Sequence, residues 1–94
     1  MSALVNIAGD ALARATGMTS AQARGTLRLL LKDRGVDPSI TRKADLIGLL
    51  GRPLDEALAK RHVTAGPAAF PAVRRAIADA DEHEDALDLF GDLD

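Results

Sequence analysis

Helical periodicity is the feature that most constrains this chain of 94 residues. Apolar residues recur three or four positions apart, and no segment alternates apolar with polar residues over the length of a strand. The first segment carries one apolar stripe, formed by Leu4, Ile7, Ala8, Ala11, Leu12 and Ala15. Glycines and prolines interrupt the pattern and separate five such segments. We therefore predict an all-α protein, a small compact bundle of four to five helices.

Capping signals predict where the first two helices begin and end. Helix 1 should cover about Ala3–Thr16 and close at Gly17, because glycine adopts the left-handed conformation that ends many helices. Thr19 followed by Gln22 matches a capping box, which predicts the start of helix 2. The next glycine, Gly35, should end that helix.

Three further helices follow. Helix 3 should begin at Ile40 or Thr41, with Ser39 or Thr41 as its N-cap, and end at Leu50. A proline suits the first turn of helix 4, and Pro71 should start helix 5.

Leucine must supply most of the core, because only Phe70 and Phe90 are aromatic. We expect six large apolar side chains on the inner helix faces to be buried: Leu27, Leu30, Leu31, Leu46, Leu50 and Ile77.

Several function classes lack the residues they need. The chain has no cysteine, so disulfides, thiolate zinc sites and cysteine nucleophiles are excluded. His62 and His83 are 21 positions apart, with no third ligand at metal-binding spacing, and no glycine-rich phosphate loop occurs. No apolar run approaches the length of a membrane span. We expect a cytoplasmic protein that is not an enzyme and has no cofactor, metal site or membrane partner.

The net charge of −2 hides a division between two parts of the chain. Residues 1–78 carry twelve bases and six acids, which gives +6, whereas residues 79–94 carry eight acids and no base, which gives −8. We therefore divide the chain into a basic helical domain, 1–78, and an acidic C-terminal segment, 79–94, which we do not expect to be ordered throughout. Such asymmetry is typical of a basic binding surface with an acidic appendage.

Basic residues gather around helices 2 and 3. Three of them follow helical spacing on helix 2, one ends that helix, and two open helix 3: Arg24, Arg28, Lys32, Arg34, Arg42 and Lys43. Together with the backbone N–H groups at the start of helix 3, they would suit the phosphates of duplex DNA. Single strands are a poorer match, because the chain has no tyrosine or tryptophan on which bases could stack. An ordinary solvated helix face is the alternative.

A family pattern overlaps these basic residues. Its first half is matched by Leu27, Leu31, Lys32, Gly35 and Val36, and its second half by Lys43, Asp45, Leu46 and Leu50. Through them, residues 27–50 resemble a SAP-type helix–extension–helix module. The link is one residue longer than in the family, and the glycine usually found before the basic pair is replaced around Ile40 and Thr41. The resemblance implies binding to duplex DNA, often AT-rich, by an accessory module of chromatin, repair or RNA-handling proteins.

The acidic segment contains apolar residues of its own. Leu87, Leu89 and Phe90 alternate with acids, a pattern typical of short segments that dock into a partner's groove, so residues 84–94 are a candidate protein-binding segment. The stretch also resembles the sliding-clamp-binding peptides of bacterial replication proteins, although Ala86 stands where those peptides carry glutamine. Alternatively, Leu87 and Phe90 pack on helix 5 and complete the core.

Two functions are therefore expected from the sequence. The first is a small helical DNA-binding or DNA-associated accessory protein that uses the basic face of helices 2 and 3. The alternative is a protein-interaction adaptor or inhibitor that acts through the acidic, apolar C-terminal segment.

Overall fold

The computed structural model describes residues 3–80, and in this range it contains five α-helices, one short 3-10 helix and no strand. The α-helices are α1 (Ala3–Thr16), α2 (Ser20–Asp33), α3 (Lys43–Ile47), α4 (Arg52–Lys60) and α5 (Ala69–Asp79), and the 3-10 helix covers Pro38–Ile40. The predicted all-α bundle is confirmed. None of the described helices combines the length and the apolarity that crossing a bilayer requires.

The core lies where α1 packs against both α2 and α5. Its largest fully buried side chains come from all five α-helices and the turn after α3: Val5, Leu12, Leu27, Leu31, Leu46, Leu49, Leu54, Leu58, Val73 and Ile77. Four of the six predicted core residues are among them. Leu30 and Leu50 are only partly buried, so this part of the prediction was wrong.

The ends of α2 form as the sequence predicts. The Thr19 hydroxyl accepts a hydrogen bond from the Gln22 N–H at 3.0 Å, and the Gln22 side chain accepts one from the Thr19 N–H at 3.1 Å. At the other end Gly35 adopts a φ of 78°, which lets the Val36 N–H donate to the Leu31 carbonyl at 2.8 Å. These bonds satisfy backbone groups that a helix end leaves without partners.

Helix α3 is shorter than predicted. It ends at Ile47, not Leu50, because the next N–H groups donate to carbonyls three residues back, from Leu49 to Leu46 and from Leu50 to Ile47. Neither Ser39 nor Thr41 is its N-cap. Ser39 belongs to the 3-10 helix, where its N–H donates to the Asp37 carboxylate at 2.9 Å.

The N-cap position of α3 is Arg42, and its N–H donates to the Asp45 carboxylate at 3.0 Å. Helix α5 begins at Ala69, two residues before the predicted Pro71, which lies in its first turn where a proline is tolerated.

Candidate nucleic-acid interface

Arg24, the first of the predicted phosphate-binding residues, pairs with an acid on the neighbouring helix. Its Nε donates to Oδ1 of Asp10 at 3.1 Å and its Nη2 donates to Oδ2 at 3.0 Å, a bidentate geometry that favours both charges. The hydrogen bond from Arg24 is the main reason why the pKa of Asp10 lies below its usual value. This arginine therefore joins α1 to α2.

The two helices approach each other closely beside this ion pair. Gly9 is buried in α1, and a Cβ atom placed on it would lie 2.5 Å from Cγ of Arg24 and 3.0 Å from its Cα. Only a residue without a side chain fits at that distance. The absence of a Cβ at Gly9 thus sets the separation at which Arg24 and Asp10 meet.

Arg28 also turns towards α1. Its Nη2 donates to the side-chain oxygen of Asn6 at 3.4 Å, and the residue is only partly exposed. The sequence contains a signal for both contacts that our prediction missed. Asp10 and Arg24 lie seven residues on either side of Gly17, and Asn6 and Arg28 lie eleven on either side. An antiparallel helical hairpin that turns at Gly17 brings such residues face to face.

Lys43 has a different partner at the end of α5. Its Nζ donates to the carbonyl oxygen of Ala78 at 3.1 Å and to that of Ala80 at 3.0 Å. A cation at this position is favourable, because the last carbonyls of a helix lack intrahelical partners and carry partial negative charge. Lys43 therefore fastens the start of α3 to the end of α5.

The other predicted cations are exposed. Lys32, Arg34 and Arg42 surround the connection between α2 and α3, and we call them the exposed basic trio. Within the described part of the chain, none of their side chains makes a hydrogen bond or an ion pair. Lys32 does contribute to lowering the pKa of Asp37, although the hydrogen bonds from Ser39 contribute more. Ile40 lies in the same connection and is 73% exposed.

The phosphate site predicted at the start of α3 stays a prediction, and the backbone there is less favourable for it than the sequence suggested. The helix has five residues, so its dipole is small, and the Asp45 carboxylate already accepts from the N–H of Arg42. A carboxylate there also repels a phosphate. Any anion bound near this helix would depend on side chains, chiefly those of the exposed basic trio.

An open groove of about 510 Å³ runs along the outer side of α2, and the sequence analysis did not predict it. Its apolar lining comes from Met18, Ala21, Gly25, Leu29 and Val63. Arg28 and Arg61 also line this α2 groove. The missed signal was the spacing of Ala21, Gly25 and Leu29, four positions apart each, which gives α2 a second apolar face.

The turn after α4 brings Arg61 and Val63 to the α2 groove. His62 adopts a φ of 57°, a conformation usually taken by glycine, and its N–H donates to the Ala59 carbonyl at 3.0 Å. The Val63 N–H then donates to the Leu58 carbonyl at 2.9 Å, which closes the helix.

Comparisons with known proteins identify no relative of this chain. No family model matches the chain, and neither the curated proteins nor the solved structures contain a significant match. The SAP-like resemblance thus stays a prediction.

The remaining predicted sites cannot be placed in the fold. Leu87, Leu89 and Phe90 lie outside the described residues, as does most of the acidic segment. Among residues 3–80, no three histidine or acidic side chains lie close enough together to hold a metal ion. The expectations that the protein is not an enzyme and needs no cofactor stay predictions.

Proposed function

We propose that the protein is a small DNA-associated accessory protein that contacts the phosphates of duplex DNA through the exposed basic trio. The observation that carries the proposal is the exposure of Lys32, Arg34 and Arg42 around one connection, without an acidic side chain paired to any of them in the described range. Lysine and arginine side chains free to reach a phosphate are what binding to the DNA backbone requires.

Charge over the whole bundle supports the same proposal. Residues 3–80 carry twelve bases and seven acids, which leaves a net charge of +5 before the remaining acids of the acidic segment are counted. Such an excess attracts a polyanion from a distance and speeds encounter at low salt. The exposed basic trio then supplies the short-range contacts.

The lack of an exposed phenylalanine, tyrosine or tryptophan in the described surface favours duplex over single-stranded nucleic acid. Phe70 is the only phenylalanine, tyrosine or tryptophan among residues 3–80, and it is partly buried, so this part of the chain offers bases no exposed ring of that kind on which to stack. Duplex backbone is the better ligand, because it needs no stacking platform. The resemblance of residues 27–50 to a SAP-type module points to the same ligand, although α3 is shorter than that resemblance led us to expect.

Salt dependence of duplex binding tests the proposal. A fluorescently labelled generic duplex is titrated with the full chain between about 50 and 200 mM salt. If each residue of the exposed basic trio neutralises one phosphate, log K falls against log salt with a slope of about −2.7, at about 0.9 for each phosphate. The variant K32A/R34A/R42A should lose most of this slope and bind weakly at every salt concentration.

A matched control replaces three exposed cations elsewhere. R52A/K60A/R74A removes the same charge from α4 and α5, so it lowers the long-range attraction equally but spares the proposed contacts. Its slope should stay closer to that of the wild type than the slope of K32A/R34A/R42A does. Equal slopes for the two triple variants, or no duplex binding at about 50 mM salt, would refute the proposal.

A further inference from the structure

The α2 groove exposes apolar surface that the described residues leave uncovered. Leu29 is 54% exposed and lies in the groove beside Ala21, Gly25 and Val63. Isolated exposed leucines are common, but a leucine within an apolar concavity marks a place where a ligand or a chain segment gains by burial. The groove therefore favours an occupant with large apolar side chains.

The groove also selects for negative charge. Arg28 and Arg61 both line it, and no acidic residue of the described range 3–80 does. Arg28 contacts only the neutral side chain of Asn6, and Nη1 of Arg61 donates to the carbonyl of Ala57, so neither arginine is neutralised by a carboxylate among residues 3–80. An apolar segment with flanking acids complements this surface.

The chain itself contains such a segment. Residues 84–90 read Glu-Asp-Ala-Leu-Asp-Leu-Phe, with three large apolar residues among three acids. Leu87 and Phe90 are three positions apart, close enough in the chain for both to contact one groove. Their side chains suit the apolar lining, and the neighbouring carboxylates suit Arg28 and Arg61.

The length of chain after α5 is sufficient for this contact. Leu87, the first apolar anchor, lies seven residues beyond Ala80, the last described residue, and seven extended residues span up to about 23–25 Å. The radius of gyration is 13.3 Å, so this length can pass from the end of α5 to another face of the bundle. The tether also keeps the segment at a high effective concentration.

We infer that residues 84–90 dock into the α2 groove of the same molecule, with Leu87 and Phe90 on its apolar lining and the acids beside Arg28 and Arg61. This inference does not depend on DNA binding. It favours the groove over the exposed basic trio as the position of the acidic segment, because the trio offers charge and the groove offers both charge and an apolar concavity.

Amide chemical shifts of the full ¹⁵N-labelled chain test the inference. The substitution Phe90→Asp removes an apolar anchor, so the amides of Gly25, Leu29 and Val63 should shift. The matched control Leu93→Asp makes the same chemical change outside residues 84–90 and should leave those amides in place. Circular dichroism of both variants verifies that the bundle remains helical.

A second variant tests the same contact by changing a residue of the groove. Leu29→Gln changes an exposed side chain, so the fold should survive, and the amides of Leu87 and Phe90 should shift. The inference is overturned if Leu29→Gln leaves residues 84–90 unchanged, or if Phe90→Asp shifts amides near Lys32 and Arg42 instead of those in the groove. Groove shifts that grow with protein concentration would also overturn it, because the occupant would then be the segment of a second copy.

Discussion

The two ends of α2 use similar basic side chains for different purposes. At the crossing with α1, Arg24 is bound to Asp10 and Arg28 to Asn6. Around the connection to α3, Lys32 is exposed and has no such partner in the described range. A row of cations with helical spacing is therefore not a single surface, because each cation faces whatever the neighbouring helix presents.

The register of the hairpin explains this difference. Positions equally distant from Gly17 face each other across α1 and α2, which gives Arg24 an aspartate and Arg28 an asparagine. Asp10 is the one acid of α1 and already pairs with Arg24, so α1 supplies none for Lys32. The first half of the row thus stabilises the hairpin, and we propose that the second half is available for a ligand.

The largest effect should come from the core beneath the helix crossing. Leu27 is 1% exposed, so Leu27→Ala should lower the free energy of unfolding by about 2–5 kcal/mol through lost burial and a residual cavity. In the α2–α3 connection, Ile40→Ala removes a side chain that is 73% exposed and should change stability by less than about 0.5 kcal/mol. Urea denaturation of both variants measures the contrast, and similar losses would contradict it.

The next effect concerns the close approach of α1 and α2. Gly9→Ala places a Cβ atom against the backbone of Arg24, and overpacking of this kind costs about 1–3 kcal/mol. Alanine has a higher helix propensity than glycine, which offsets up to about 1 kcal/mol. The net decrease in the free energy of unfolding should therefore be up to about 2 kcal/mol. Gly25→Ala on the opposite side of α2 meets no atom within 4 Å and should instead stabilise the protein. Melting temperatures that move in the same direction would count against this geometry.

A smaller effect should appear in the pH dependence of stability. Arg24 lowers the pKa of Asp10 in the folded state, so the contribution of this carboxylate is present above its unfolded pKa of about 3.9 and is lost as the pH falls through the lower folded value. The difference in melting temperature between the wild type and Asp10→Asn should therefore shrink between about pH 5 and pH 3.

The Arg24→Ala background provides the control for this titration. Once the guanidinium is absent, Asp10→Asn should add little at any pH, because the two residues act as one pair. An equally large effect of Asp10→Asn in both backgrounds would show that the carboxylate does not act through Arg24.

Much of the fold could be predicted because the decisive signals are local. The capping box at Thr19 and the glycine at Gly35 set the bounds of α2, and helical periodicity identified Leu27 and Leu31 as core residues. The end of α3 could not be predicted in this way. The helix ends at Ile47 and its C-cap is Gly48, whose φ of −65° is helical, so this glycine is not the left-handed cap by which a helix end is usually predicted.

The candidate site was predicted less well, since it depends on contacts between helices. Nothing within α2 alone distinguishes Arg24 from Lys32; the distinction comes from Asp10, fourteen residues earlier in the chain. The role of Lys43 could not be predicted from its own helix either, because its partners are carbonyl groups at the end of α5. The α2 groove required knowing that the turn after α4 carries Arg61 and Val63 to α2.

We divide the basic residues into those that stabilise the helical hairpin and those available for a ligand. The most direct test of this division compares Arg24→Ala with Arg42→Ala in two measurements, the melting temperature and the salt dependence of duplex binding. Arg24→Ala should lower the melting temperature and leave the salt slope unchanged, because its guanidinium is held by Asp10. Arg42→Ala should keep the melting temperature and flatten the slope by about 0.9, the value for one phosphate. A flattened slope with an unchanged melting temperature for Arg24→Ala would contradict the account.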